Sequence, residues 1–548
     1  MTSALYARAV VVRPQLENMG ALEPMANLAG NLPSHTKNHP ADTRGRLSEF
    51  YRGRCVLITG ATGFLGKVLV EKLLRTCPDV GHVFLLLRPK RGREADERFR
   101  ELLANPILNR VRSEQPAQLS KLRLISGDVS RAGLGISEQD RTTLQNEVNV
   151  VLHSAATVRF DEPLKLAVNI NTLGTRRVVE FARNLRHLHA LVHVSTAYSN
   201  PDRKEIEEKV YPPPADPDTI IKLVQTTNPE VLDAIEQKLI GKHPNTYTFT
   251  KALAENIVLH EASDLPSAIV RPSIVTPAWQ EPVPGWVDNT NGITGLAMEM
   301  GRGTLRSVFC DKTLNVNIIP VDVVVNAILA VAAHLHWHSW SEIPVYNVTS
   351  AGIILEDLKL NIMKTARHSP SKYVQWYPNV EYTTCLFLHR TYDTLLHYVP
   401  AFVLDLIMRV QGQKPIAMKI YDRIRKSVLT GQFFATNEFA FKNQGLRDLA
   451  ASLHFKDRHR FAMDLNQLQW DKYVNTMVLG IRQYVLKDDF SSLAGARKKL
   501  ELLLWGQRIV KGFGLLILLK ALFRFLPQNL NIFQIFATLF SQKASLKL

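Results

Sequence analysis

The stretch Thr59-Gly60-Ala61-Thr62-Gly63-Phe64-Leu65-Gly66 decides the fold of this chain. It follows an apolar run at 55–58, typical of a buried strand, and precedes a helical pattern at 67–75. Three glycines at this spacing allow a tight turn, close approach of a pyrophosphate and close helix packing. The start of the helix offers free N–H groups to phosphates. The stretch therefore predicts dinucleotide binding by Thr59, Gly60, Thr62, Gly63, Phe64, Leu65 and Gly66.

Alternating apolar runs and helical patterns continue outward from this turn. Further strand candidates cover residues 83–87, 122–125, 148–152, 190–194 and 267–270. Continuous apolar runs are typical of strands buried on both faces of a parallel sheet. The pattern predicts an α/β fold with a doubly wound parallel Rossmann sheet.

The end of the second strand indicates which dinucleotide binds. An NAD site usually places a carboxylate there for the ribose 2′-OH. Here the strand ends in Arg88-Pro89-Lys90-Arg91, and Arg88 can pair with a 2′-phosphate through two hydrogen bonds. The sequence predicts NADPH as the cofactor, with a solvated basic loop as the alternative.

Residues at the ends of the other strands are predicted to border the cofactor. They are Asp128, Val129, His153, Ala155, Ala156, Asn171 and Arg271. Asp128 suits the adenine edge, and the small Ala155 and Ala156 let the backbone run beneath the cofactor. Arg271 is placed to reach the nicotinamide carboxamide, and a structural ion pair is an equal alternative.

A catalytic group is predicted from Tyr247 and Lys251, which lie one turn apart on a helix. An ammonium beside a phenol lowers the pKa of the phenol, so that Tyr247 acts as an acid near neutral pH. Thr196, with Ser195 as the alternative, follows the fifth strand and can bond the substrate carbonyl. Tyr198 is a rival phenol without a lysine one turn on.

The net charge and the spacing of the cysteines limit which other classes of function are possible. The chain has 67 basic and 50 acidic residues, a net charge of +17, which favours polyanionic partners such as nucleic acid, anionic lipid or a phosphorylated ligand. Four cysteines show no metal-ligand spacing. The cluster His334-Leu335-His336-Trp337-His338 lacks a nearby carboxylate or cysteine. We assign no metal.

Four parts are predicted along the chain. They are a flexible leader at 1–48, an NADP-binding Rossmann reductase domain at 49–345, a mainly helical C-terminal domain at 346–500 and an apolar membrane-associated tail at 501–548. Two cations interrupt the apolar stretch 513–526, which falls short of the about 20 residues of a spanning helix. Extension to 540 suits a re-entrant or hairpin anchor, and a core helix is the alternative.

These motifs resemble the extended short-chain dehydrogenase/reductases and, more specifically, the arthropod-type fatty acyl-CoA reductases. The resemblance rests on residues 59–74, 210–214, 244–255 and 271–277 and runs from about 50 to 490. A long insert between Thr196 and Tyr247, with prolines at 212–214, is similar to one in that family.

The resemblance implies reduction of fatty acyl-CoA by two NADPH, through an aldehyde, to a fatty alcohol and CoA. It implies that Thr196 and Tyr247 stabilise the oxyanion, that Lys251 holds the nicotinamide ribose and that a helical family domain covers 397–488. The expected partners are fatty acyl-CoA and a membrane lipid surface, with no nucleic acid. The expected location is an endoplasmic reticulum or peroxisome membrane, facing the cytosol.

Several alternatives and unknowns stay open. A membrane-associated sterol or other lipid dehydrogenase shares the cofactor site and the anchor but releases no CoA. A binding protein on an inactive reductase fold is disfavoured, because Tyr247, Lys251 and Thr196 are all present. The sequence leaves chain length, organelle and oligomeric state undecided.

Overall fold

A seven-stranded parallel sheet is the centre of the fold in the computed structural model, which describes residues 46–90, 92–338 and 340–525. The structure has the following strands, of which seven form this sheet and the others pair in twos: β1 (Cys55–Thr59), β2 (Val83–Leu87), β3 (Leu122–Ser126), β4 (Val148–His153), β5 (Ala190–Val194), β6 (Glu205–Ile206), β7 (Ser267–Pro272), β8 (Ile274–Thr276), β9 (Ser307–Phe309), β10 (Asn315–Val316), β11 (Ile318–Pro320), β12 (Val345–Val348), β13 (Ile353–Ile354), β14 (Glu381–Thr383) and β15 (Ala440–Phe441). The sheet order is β12-β7-β5-β4-β1-β2-β3. The predicted doubly wound α/β fold is confirmed.

Helices lie between and beyond the strands. They are α1 (Arg46–Tyr51), α2 (Phe64–Thr76), α3 (Ala95–Leu103), α4 (Asn109–Glu114), α5 (Glu138–Glu147), α6 (Leu164–Ala167), α7 (Leu173–Arg183), α8 (Pro217–Thr226), α9 (Pro229–Ile240), α10 (Thr246–Glu261), α11 (Gly292–Arg302), α12 (Val321–Trp337), α13 (Leu355–His368), α14 (Leu386–Asp393), α15 (Val399–Val410), α16 (Ala417–Thr436), α17 (Gln444–Ser452), α18 (Phe455–Arg460), α19 (Trp470–Gly480) and α20 (Leu493–Phe525). Single π-helical turns cover Val168–Thr172, Thr394–Tyr398 and Ile481–Val485.

Alternation of side chains along the strands builds a core on each face of the sheet. In β1, Val56 and Ile58 join the core cluster that contains α2 and α12. The intervening Leu57 joins the cluster on the other face, with residues of α5 and α7. Successive strand side chains point to opposite faces, so a wholly apolar strand is buried twice.

The strand order reverses between β1 and its two neighbours, β2 and β4. In open α/β sheets, ligands bind in the crevice at the carboxyl ends of the strands beside such a reversal. The loops after β1, β4 and β5 therefore border the expected cofactor site.

The C-terminal helical region is joined to the sheet region by backbone pairing. Strand β15 pairs with β6, and β14 pairs with β9. The described residues accordingly belong to one compact unit. The domain boundaries stated above stay predictions, and helix α20 begins at Leu493, ahead of the predicted start of the tail.

One helix among the described residues is long and apolar enough to cross a membrane, judged by length and composition alone. Its apolar part lies within Phe490–Ala521 and has a mean hydropathy of 1.6. The predicted leader up to residue 45 and the tail from 526 onward lie outside the described residues.

Candidate active site

The glycine turn after β1 has the geometry that dinucleotide binding requires. Gly60 has φ of +78°, and a Cβ there would lie 2.8 Å from the backbone nitrogen of Ala155. A Cβ on Gly66 would lie 2.3 Å from the Gly60 carbonyl oxygen, so both positions need glycine. Gly63 is exposed, and α2 begins after it without a side-chain cap. The free N–H groups of that first turn are available to a pyrophosphate.

A buried hydrogen-bond network fixes the edge of this turn. The Thr59 hydroxyl contacts Nδ1 of His153 at 2.8 Å and accepts a hydrogen bond from the Ala155 N–H at 3.1 Å. Burial, and secondarily the charge of Lys251, lowers the pKa of His153 to about 3, so the imidazole is neutral. Thr59 and His153 thus support the turn from below, while Ala155 and Ala156 lie partly exposed beside it.

Asn171 is buried and links two segments of the chain by hydrogen bonds. It lies in a π-helical turn, a feature often found at functional sites, and is almost fully buried. Its side-chain amide bonds both the N–H and the C=O of Thr157, at 2.9 and 3.1 Å. It also donates to the Thr250 hydroxyl on α10 at 3.0 Å. Asn171 therefore ties the loop after β4 to the helix that carries Tyr247.

Two arginines meet beside the glycine turn, and the sequence indicated only one of them. Arg88 approaches Asp128 at 3.4 Å, and although burial opposes it, hydrogen bonds from Ser130 and this arginine lower the pKa of Asp128. Arg98, on α3, donates to the Thr62 hydroxyl and to the Arg88 carbonyl. Burial, and then repulsion by Arg88, lowers the pKa of the Arg98 guanidinium.

The remaining predicted cofactor residues support this region through packing. Val129 is buried, its side chain packs against Gly174, and its carbonyl accepts from Arg177 at 3.0 Å. The Phe64 ring stacks on Trp286 with centroids 5.6 Å apart. These contacts hold the loop after β3 and the start of α2 in place.

Helix α10 brings the predicted catalytic residues together. The Lys251 ammonium donates to the Val194 carbonyl, at the end of β5, over 2.7 Å. Burial lowers the pKa of Lys251 to about 8, against the attraction of Glu255. Tyr247, one turn before it, lies beside the Thr196 hydroxyl, which partly lowers the pKa of the phenol. Tyr247 and Thr196 therefore form a pair of hydroxyl groups at the end of β5.

The expectation that Lys251 lowers the pKa of Tyr247 is wrong in this structure. Burial raises the pKa of Tyr247 to about 12, only partly offset by the hydrogen bond with Thr196. Lys251 instead directs its ammonium to the backbone of β5. Tyr247 is therefore a neutral O–H donor throughout the physiological pH range.

Ser195 and Arg271 lie in a buried ion-pair network instead of facing open space. The Ser195 hydroxyl donates to Glu255 at 2.5 Å. Arg271 donates to both carboxylate oxygens of Glu255, at 2.8 and 2.7 Å, and to the carbonyls of Glu207 and Lys209. Within this network, the Arg271 side chain is fully buried. Arg271 therefore forms the structural ion pair that the sequence left open as an alternative.

An aromatic cluster, which sequence reasoning missed, adjoins Tyr247. Phe160, in the loop after β4, stacks on Tyr247 with centroids 5.9 Å apart and contacts Phe434 at 5.6 Å. Tyr198 packs edge-on against Phe434 at 5.1 Å. Phe439 and Phe441 also contact Tyr198, and we call these five residues the aromatic wall. Phe434 lies near the end of α16, so the C-terminal helical region contributes to the site.

One group of possible metal ligands lies at the opposite end of the sheet. Cys55, His82 and Glu147 have ligand atoms within 4.8 Å of one another, at the amino ends of β1, β2 and β4. The His82 N–H donates to the Cys55 sulfur, and His82 pairs with Glu147 at 3.2 Å. These bonds account for the grouping, and we assign no metal to it.

Family models match two separate stretches of the chain. Two family models, both described as male sterility protein, match residues 58–328 and 396–488. Fatty acyl-CoA reductase 1 of Xenopus laevis is 40% identical over 461 residues, covering 83% of this chain and 89% of that protein. Fatty acyl-CoA reductase 1 of Homo sapiens is 38% identical over 457 residues, with the same coverage.

Solved structures show the likeness of fold. The terminal R domain from the myxalamid biosynthetic pathway has a TM-score of 0.52 at 20% identity and covers 78% of this chain and 90% of that one. The reductase domain of a non-ribosomal peptide synthetase from Mycobacterium tuberculosis has a TM-score of 0.53 at 19% identity, covering 82% and 97%. Both share the α/β fold of this chain.

Proposed function

The chain belongs to the fatty acyl-CoA reductase family, and we propose that it reduces long-chain fatty acyl-CoA with NADPH, through an aldehyde, to a primary fatty alcohol. Family membership makes it an oxidoreductase of fatty acyl groups that uses a nicotinamide cofactor. The observation that carries the proposal is the pairing of the Tyr247 and Thr196 hydroxyl groups beside the aromatic wall. The sterol dehydrogenase alternative has no support among these relatives.

Tyr247 and Thr196 suit stabilisation of a developing oxyanion. Both are neutral hydroxyl donors, and donors that are fixed before reaction lower the barrier most. When bound, the nicotinamide supplies the hydride for each reduction. In the first reduction the hydroxyls hold the carbonyl oxygen of the thioester while negative charge develops on it. Collapse of the resulting hemithioacetal breaks the carbon–sulfur bond, releases CoA thiolate and restores a carbonyl.

Tyr247 has a second role in the reduction of the aldehyde. The phenol transfers its proton to the alcohol oxygen as the carbonyl is reduced, and water returns a proton to the phenolate. A phenol with pKa near 12 keeps that proton until the oxygen becomes strongly basic. Lys251, mainly charged at neutral pH, is proposed to hold the nicotinamide ribose.

The aromatic wall is the proposed contact for the acyl chain near the thioester. Its rings present apolar surface directly next to Tyr247, through Phe160. Asp161, the next residue, pairs with Lys426 of α16 at 2.7 Å, and this bond chiefly lowers the pKa of Asp161 to about 2. The loop after β4 is therefore tied to α16 at the edge of the wall.

The stoichiometry of turnover tests the proposed function. With palmitoyl-CoA, the full chain is expected to oxidise two NADPH per CoA released and to yield hexadecanol. The measurements are NADPH absorbance, free thiol and product extraction from one reaction. A ratio of one with accumulating aldehyde contradicts alcohol formation, and NADPH oxidation without CoA release contradicts the acyl-CoA substrate.

NADPH selectivity is expected to depend on Arg88 and Arg98. Removing either guanidinium should weaken NADPH binding by about 10- to 100-fold, because hydrogen bonds to charged groups contribute roughly 1.5–3 kcal/mol each. NADH binding should change little, since it lacks the 2′-phosphate. Titration of Arg88→Ala and Arg98→Ala with both cofactors measures this.

Arg93→Ala is the matched control for these variants. Arg93 belongs to the same basic segment but is exposed and paired with Glu101. Its loss should leave both affinities unchanged. Equal weakening of NADPH and NADH by Arg88→Ala, or an equal effect of Arg93→Ala, contradicts recognition of the 2′-phosphate.

We also propose an intracellular membrane location, at the endoplasmic reticulum or peroxisome, with the catalytic residues facing the cytosol. Helix α20 supports membrane association, because its apolar part is largely exposed and has the length to span. Organelle separation with the full chain decides between the two membranes, and recovery only in the soluble fraction contradicts both.

A further inference from the structure

Helices α14 and α15 expose a continuous run of large apolar side chains. Of the twelve residues of α15, only Ala401 and Asp405 are buried. The exposed residues include Phe402, Val403, Leu404, Leu406, Ile407 and Val410. Phe387 on α14 is 80% exposed, and we call these seven residues the α14–α15 surface. Contiguous apolar exposure of this kind marks an interaction site.

We propose that the α14–α15 surface inserts into the head-group region of an anionic lipid bilayer, as a membrane contact separate from α20. A helix of twelve residues is about 18 Å long, too short for a hydrocarbon core of about 30 Å. It can lie in the interface plane with apolar side chains among the acyl chains. Docking of this surface does not depend on the reaction proposed above.

The acidic groups of these helices face inward. Asp405, the only carboxylate on α15, accepts from the N–H groups of Ala417 and Met418 at 2.7 and 3.1 Å and so caps α16. Asp393 accepts from the Tyr421 hydroxyl at 2.9 Å and bonds His397 at 2.9 Å. Both carboxylates are satisfied within the protein, which leaves the outer face to apolar and basic groups.

The rim of the surface is basic. Residues 386–426 contain seven Arg or Lys and three Asp, and two of those Asp are the internally bonded pair. Arg409, Lys414, Lys419 and Arg423 are all exposed. Basic residues around an inserted apolar face attract anionic lipid, at about 1 kcal/mol for each near the membrane surface.

Contacts connect this surface with the start of α20. Arg497 of α20 donates to the His368 carbonyl, and Lys499 donates to the Lys372 carbonyl. Trp376 lies four residues after Lys372, and its ring packs under the Arg306 guanidinium at 5.4 Å. The Arg306 N–H in turn bonds His397, between α14 and α15. The start of α20 and the α14–α15 surface are therefore connected through packed segments of the same compact unit.

A second copy of the chain is the competing occupant, and charge disfavours it. A symmetric dimer through this face brings the same basic rim from each copy together. The resulting repulsion has little acidic compensation, because Asp393 and Asp405 are bonded within the protein and Asp422 is the one exposed carboxylate of residues 386–426. An anionic bilayer satisfies both the apolar centre and the basic edge.

The test places a fluorophore on the surface of the full chain in vesicles of phosphatidylcholine with a minority of phosphatidylserine. Phe402→Cys is labelled in a Cys385→Ser background, since Cys385 is an exposed thiol. Phe455→Cys is the matched control, because Phe455 is a phenylalanine of comparable exposure on α18: 64% against 52% for Phe402. Nitroxides on the lipid acyl chains serve as quenchers, and Cys385→Ser alone gives the background labelling.

The proposal expects several-fold stronger quenching at position 402 than at 455, together with a blue shift at 402 only. Replacing Arg409, Lys414 and Lys419 by Gln should reduce that quenching when phosphatidylserine is present. Absence of quenching at 402, or equal quenching at both positions, overturns the proposal. Protection of 402 from water without lipid quenching, with 402-to-402 crosslinking between chains, overturns it in favour of a dimer.

Discussion

Changing Tyr247 to Phe is expected to slow acyl-CoA reduction by about 100- to 10,000-fold. The substitution removes the phenolic O–H that lies beside the Thr196 hydroxyl and that is proposed to donate to the substrate oxygen. It keeps the ring that stacks on Phe160. NADPH affinity should stay nearly unchanged, because the glycine turn and the Lys251 contact to β5 remain. Single-turnover rates and cofactor binding on one preparation measure both effects.

Tyr198→Phe is the control for loss of a phenol at the same site. Tyr198 is buried in the aromatic wall, and its hydroxyl donates to the Asn317 carbonyl at 3.4 Å. Burial raises the pKa of this phenol well above its ordinary value, and Tyr198→Phe keeps the ring that belongs to the proposed acyl contact. Most of the activity should persist in Tyr198→Phe. Substantial activity in Tyr247→Phe, or its loss in Tyr198→Phe, places the proton donor elsewhere.

Local pattern was sufficient to predict most of the sheet. Each strand candidate, from residues 55–58 to 267–270, coincides with an observed strand of the parallel sheet. Among the described strands of this sheet, only β12 lacks a candidate in the sequence. Its sequence Val345-Tyr346-Asn347-Val348 is short and contains a polar residue. Asn347 is buried there and bonds the carbonyls of Ile206 and Lys442, contacts that only tertiary structure supplies. A polar side chain is buried in a strand when it has hydrogen-bond partners. Its burial can therefore be predicted only when those partners are known.

The candidate site was predictable where one element holds the chemistry and unpredictable where distant segments meet. The Gly60–Gly66 turn and the Tyr247–Lys251 spacing are local, and the structure sets them at the carboxyl ends of β1 and β5, with β4 between these strands. Arg98 reaches Thr62 only because α3 folds back over the turn. Phe434 meets Phe160 only because α16 packs across the loop after β4.

The pKa of Tyr247 shows a further limit of spacing arguments. Helical geometry fixes which side chains share a face, but it does not fix where a flexible ammonium donates. Lys251 donates to the Val194 carbonyl, and burial then dominates the pKa of the phenol. The consequence is a phenol that stays protonated at physiological pH and is a weaker acid than the sequence indicated.

The buried pair of Arg271 and Glu255 predicts the largest change in stability. Both side chains are almost fully buried, and they form two parallel hydrogen bonds. Arg271→Ala should lower the free energy of unfolding by about 3–5 kcal/mol, because it leaves the Glu255 carboxylate buried without its partner. It also removes the donor to the Lys209 carbonyl within the long insert. Denaturant unfolding of the full chain measures the loss.

Arg183→Ala tests whether burial of the pair, rather than ion pairing alone, causes the loss of stability in Arg271→Ala. Arg183 bonds both oxygens of Asp264 in the same two-bond geometry, but these side chains are 46% and 57% exposed. Exposed pairs contribute less than about 1 kcal/mol, so this variant should be close to the parent in stability. Changing Arg271 and Glu255 together to Met should recover part of the loss, because no lone charge remains buried. Equal destabilisation by Arg271→Ala and Arg183→Ala would falsify the assignment of Arg271 as a buried structural anchor and reopen a role for its guanidinium at the cofactor.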